Sequence, residues 1–147
     1  MSFIAVVNVS TVVSDTDLAR WVHAVQAQLE YEFAPNYGGN VVLQAFPKGH
    51  TPGAGDWLML VADDSTQAGA LGYHETGTKG IPDGYVFAKS DLAFGLSPSV
   101  TLSHEVLEMA ADPYINTCSF DTRGDLRAYE ACDAVEADSK EAIAPTT

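Results

Sequence analysis

Residues 103–113, Ser-His-Glu-Val-Leu-Glu-Met-Ala-Ala-Asp-Pro, constrain this chain more than any other segment. Their spacing predicts a helix that starts near Ser97 or Ser99 and stops at Asp112, because a proline disfavours helical geometry at the residue before it. Val106, Leu107, Met109 and Ala110 give that helix an apolar side, and His104, Glu105, Glu108 and Asp112 fall on the polar side. His104 and Glu108 are four apart, so they share one face about 6 Å apart along the axis. Two side chains so placed can point at a single cation from successive turns.

The residue types suit a metal as well as the spacing does. Histidine nitrogen and carboxylate oxygen are both accepted by zinc, the carboxylate at roughly 2.0–2.2 Å. Glu105, between the two ligands, stands where zinc metallopeptidases place the carboxylate that takes a proton from water. The usual motif has a second histidine where this chain has Glu108, which makes the site harder and more anionic. An ordinary solvated helix face would carry much the same residues. Against that reading stand the histidine itself and a second acidic group, Glu130, Asp133 and Glu136, which offers a third ligand from a separate segment. Asp112 is about 12 Å along the axis from His104. It is therefore expected at the helix terminus and not in the ligand set.

Charge and length limit the rest. The 147 residues fit one domain able to bury a core unaided. With 20 acidic against 7 basic residues the net charge is −13, and no basic patch is available to replace phosphate counterions, which argues against direct nucleic-acid binding. The apolar start, residues 1–10, is short and lacks a basic region, so it reads as a strand and not a secretion signal. No stretch is long enough to cross a membrane. Cys118 and Cys132 can pair or remain thiols; with no export signal, thiols are expected. They lack the CxxC spacing of a thiolate zinc site, which leaves Cys132, beside the acidic group, a lesser ligand candidate.

Along the chain, residues 3–9 have the β-branched content of a buried strand. Ser14 and the acidic Asp15 and Asp17 open a helix over 15–33 whose buried stripe is Leu18, Trp21, Val22, Val25 and Leu29. The Pro-Asn-Tyr-Gly-Gly run at 35–39 ends it. Strands are predicted over 41–46, 57–61 and 85–88, with a Gly/Pro-rich loop at 48–56 carrying His50 as a surface residue. Residues 68–84 read as a glycine-rich connection, in which His74 is first a turn residue and second a neighbour of the metal. The fold expected is α+β: one domain over 1–137, with a mixed sheet packed against an N-terminal helix and the motif helix, and a polar tail over 138–147.

The pairing of Ser-His-Glu-Val-Leu-Glu-Met-x-x-Asp-Pro at 103–113 with Glu-x-Cys-Asp-x-Val-Glu at 130–136 resembles small zincin-like proteins of tailed bacteriophages, and more distantly bacterial HExxE proteins read as peptidases. Gly72-Tyr73-His74 and the 86–87 strand fit the same pattern, so the likeness spans about 68–138. It implies a zincin-like domain with His104, Glu108 and Glu130 or Asp133 holding zinc and Glu105 as the base. It further implies a virion structural role, in head decoration, neck or tail, with other virion proteins as multi-copy partners. The location implied is the virion, or the host cytoplasm before assembly. The alternative is a minimal zinc metallopeptidase, with Tyr114 and Tyr129 the nearest aromatic hydroxyls for an oxyanion. The polar tail departs from the family pattern, which continues into a further strand.

Overall fold

The computed structural model describes residues 1–67, 69–120, 122–128 and 132. Glu130, Asp133, Glu136, Tyr129 and the tail over 138–147 lie outside them. The first strand, β1 (Ser2–Asn8), is an interior strand of a five-stranded sheet, as its two apolar faces require. It pairs in parallel with β2 (Val41–Phe46) and β3 (Trp57–Ala62), so that Ile4 lies between Leu43 and Trp57. Beyond β3 come β5 (Pro82–Phe87), also parallel, and β4 (Gly72–Thr76), the antiparallel edge strand, giving the order β2-β1-β3-β5-β4.

The helix α1 (Asp15–Gln28) makes the crossover from β1 to β2. Its first turn is fastened by Ser14, whose Oγ accepts from the Asp17 N–H at 3.0 Å. The expected helix to residue 33 is not regular. From Leu29 to Phe33 it widens, the Ala34 N–H donating to the Leu29 carbonyl five residues back, and then tightens into α2 (Ala34–Tyr37). Pro35 accounts for the irregularity, since it has no N–H to give the carbonyl of Tyr31. Two further helices follow β5: α3 (Ala88–Ala93), not foreseen from sequence, and the motif helix α4 (Pro98–Ala111). A small hairpin, β6 (Cys118–Phe120) and β7 (Leu126–Ala128), comes after them.

One face of the sheet carries the core. Ile4, Val6, Leu43, Met59, Val61 and Val86 meet Leu18, Trp21, Val22 and Val25 of α1 and Leu102, Val106 and Met109 of α4. Burying a Val, Leu or Met side chain stabilises by about 1.5–3 kcal/mol, so this contact is what positions α4. Ser103 Oγ donates to Gln28 Oε1 and ties the two long helices together. On the opposite face Tyr73, Tyr85 and Phe87 stack across β4 and β5, with Tyr73 and Tyr85 centroids 4.9 Å apart. Among the described residues no helix is long and apolar enough to cross a membrane. The architecture is the α+β arrangement of mixed sheet and helices expected from sequence.

Candidate metal centre

Close approach between α4 and the edge strand builds the site. Alternation along β4 turns Gly72, His74 and Thr76 toward the helices and Tyr73 and Glu75 away from them. Gly72 is required for the approach: a Cβ there would lie 2.8 Å from Thr101 Cγ2, 2.9 Å from Glu105 Cγ and 2.9 Å from the Tyr85 carbonyl oxygen. Opposite His74 on β5 is Gly84, where a Cβ would lie 2.8 Å from Met59 Cε and 3.0 Å from the Tyr73 carbonyl oxygen.

Glu105 therefore sits in a covered seat between helix and strand, 6% exposed. His74 Nδ1 is 3.7 Å from Glu105 Oε2, and His74 Nε2 is 3.3 Å from the carbonyl oxygen of Asp112. Burial raises the Glu105 carboxyl above its ordinary range. The hydrogen bond from His74 and the charge of His104 oppose that rise, and the Glu108 carboxylate adds to it. His74 is thus part of the site. The glycine-rich composition of 68–84 concealed the strand that carries it.

His104 and Glu108 meet as their spacing requires, Nε2 to Oε1 at 3.3 Å. Glu108 is 4% exposed, so its charge is held away from water. The backbone N–H of Cys132 donates to Glu108 Oε1 at 3.1 Å, which puts Cys132 against the helix. One ligand atom from each of His104, Glu108 and Cys132 lies within 4.8 Å of the other two, and His74, Glu105 and Glu108 form a second such group. Of the expected ligands, His104 and Glu108 are brought together, whereas Glu130 and Asp133 fall outside the described residues. Cys118 and Cys132 are both thiols, not partners in a disulfide.

Asp112 is the terminus residue its position implied. Its Oδ1 and Oδ2 accept from the backbone N–H groups of Asn116 and Thr117, at 3.2 and 3.0 Å, closing the turn that follows α4. Tyr114 packs edge to face on Trp57, with centroids 6.3 Å apart, and is exposed. His50 is exposed in its loop. A feature with no sign in the sequence is Asp91 on α3, fully buried, with Oδ1 accepting from Thr101 Oγ1 at 2.9 Å and Oδ2 lacking a hydrogen-bond partner. Burial first, and the nearby Glu105 carboxylate second, raise its carboxyl to about 6 against the pull of the Thr101 hydrogen bond.

Comparison with protein-family models, curated proteins and solved structures gives no match to this chain. What the site can do rests on its own residues.

Proposed function

We propose that this chain is a zincin-like, metal-dependent peptidase domain, with His104 and Glu108 as metal ligands and Glu105 as the general base. The observation that supports it best is the meeting of α4 with β4. His104 and Glu108 stand paired one turn apart, and the intervening Glu105 is pressed against Gly72 and held by His74. A tetrahedral zinc with bonds of about 2.0–2.3 Å has ligand atoms roughly 3.3–3.8 Å apart, so the 3.3 Å His104–Glu108 separation fits without rearrangement. When bound, zinc would polarise a peptide carbonyl and make water acidic enough to be used at neutral pH.

The chain's own residues then have separable tasks. His104 and Glu108 bind, Glu105 takes a proton and returns it to the leaving amine, and His74 fixes the rotamer of Glu105. A base must lie within hydrogen-bond reach of its proton, so a restrained carboxylate beside the ligand pair is the geometry this chemistry needs. The virion component suggested by resemblance would use the same pair for stability alone and would need no base.

The test is to load purified protein with one equivalent of zinc and incubate it with a peptide library. Cleavage is expected, Glu105→Gln should abolish it while retaining zinc, and His104→Ala should lose the zinc. If one equivalent binds and raises the melting temperature but nothing is cut, the domain is a structural zinc protein and not a peptidase.

A further inference from the structure

We infer that Cys132 supplies a thiolate ligand to the metal held by His104 and Glu108, so that the site takes thiophilic divalent cations and discriminates against calcium and magnesium. The inference rests on the metal site proposed above and names its third donor. Its ground is the clustering of three different donor types, imidazole nitrogen, carboxylate oxygen and thiol sulfur, all within 4.8 Å of one another. The sulfur comes from a residue whose own backbone is fastened to the ligand pair, because the Cys132 N–H donates to Glu108 Oε1 itself at 3.1 Å. Side-chain rotation of about 1 Å brings such a cluster to the roughly 3.3–3.8 Å spacing of a tetrahedral zinc shell.

The chemistry favours this donor set over the neighbouring group of His74, Glu105 and Glu108. That second group would use up the base in coordination, whereas His104, Glu108 and Cys132 leave Glu105 with its own seat. On binding, the thiol proton leaves to solvent, and the two anionic donors balance the 2+ charge of the cation in a largely covered site. Thiolate is a soft ligand that suits zinc, cadmium and cobalt(II), while calcium and magnesium require shells of oxygen.

Cobalt(II) alone, titrated into the reduced full-length chain, reads the sulfur directly through its near-ultraviolet sulfur-to-cobalt charge-transfer absorption. The wild type should show this band saturating at one equivalent, undisturbed by excess magnesium or calcium. Cys132→Ser should lose the band and bind cobalt roughly tenfold more weakly or worse, since even outer-shell losses cost roughly 10–100-fold. Cys118→Ser, which removes the exposed thiol on β6, should keep it. Cobalt bound by the wild type with no charge-transfer band would overturn the thiolate while leaving the metal site standing. A band that survives in Cys132→Ser, or vanishes in Cys118→Ser, would equally overturn Cys132 as the donor. No cobalt or zinc bound at all would overturn both proposals.

Discussion

His74 on the edge strand places Nδ1 3.7 Å from Oε2 of Glu105 on the motif helix, while its other nitrogen faces the Asp112 carbonyl at 3.3 Å. A single ring thus reaches from the middle of α4 to the residue that caps its C-terminus. Neutral imidazole has one N–H and can donate to only one of these oxygens, whereas imidazolium can donate to both. His74→Ala removes the ring and leaves a covered carboxylate without this neighbour. The expected cost is about 1–3 kcal/mol in urea unfolding, the range for leaving a buried polar group unsatisfied. A loss below about 0.5 kcal/mol would mean that the ring does not brace the helix.

Gly72 sets how near the strand can come. In Gly72→Ala the new methyl would meet Thr101 Cγ2 at 2.8 Å and the Tyr85 carbonyl oxygen at 2.9 Å, and the backbone atom cannot rotate away. Overpacking of this kind costs typically 1–3 kcal/mol. Gly55→Ala is the control, because nothing lies within 4 Å of its added Cβ. Its effect should stay within about 0.5 kcal/mol. Equal denaturation midpoints for the two variants would show that β4 is free to move off the helix.

Those two residues also show where sequence reading reached and where it stopped. Strands β1, β2 and β3 were legible as apolar runs between glycine, proline and asparagine breakers, and α4 as a periodic segment ended by Pro113. The His104–Glu108 pair follows from helical spacing alone. Strand β4 was hidden because Gly72, His74 and Thr76, the residues it turns inward, are small or polar; its identity comes from pairing with β5, where His74 lies opposite Gly84. The widening before Pro35 has a local cause, the missing N–H of that proline, which the apolar periodicity of the helix did not register. Cys132 carried no CxxC signature, since the residues it clusters with, His104 and Glu108, are on a helix more than twenty residues away. Glu130 and Asp133, the distal ligands expected from the resemblance, fall outside the described residues.

The turn after α4 contains a strain that can be relieved. Ile115 has φ 52°, the single non-glycine residue with positive φ among the described residues, and it is 44% exposed. Left-handed backbone costs an L-residue roughly 1–2 kcal/mol, and a β-branched side chain suffers most. Asparagine tolerates this region, so Ile115→Asn should stabilise the chain by up to about 1 kcal/mol, read as a rise in melting temperature. The Ile115 N–H donates to the Asp112 carbonyl and is kept in the variant. A lower melting temperature would show that the apolar side chain contributes more than the strain costs.

The pH dependence of stability separates two aspartates of opposite sign. Asp91, raised from 3.8 to about 6 chiefly by burial, binds its proton more tightly in the folded chain than in the unfolded one. Its favourable contribution is therefore complete below 3.8 and disappears as pH climbs through about 6, a loss on the order of 2–3 kcal/mol. Glu105 and Asp83, also raised by burial, add to the same decline. Asp63 behaves in reverse. Hydrogen bonds donated by the Ser10 and Thr11 hydroxyls lower its carboxyl, so its contribution is present above the usual 3.8 and is lost as pH falls through the lowered value. Urea midpoints measured from pH 3 to pH 8 should show Asp91→Asn with a shallower decline between about 4 and 6 than the wild type. The Asn amide has no acceptor where Asp91 Oδ2 stands unpartnered, so it is the slope and not the absolute stability that reports on the proton. Asp63→Asn should leave that slope alone and flatten the acid limb instead. An unchanged slope in Asp91→Asn would show that this carboxyl is not carrying a proton in the folded chain near pH 5.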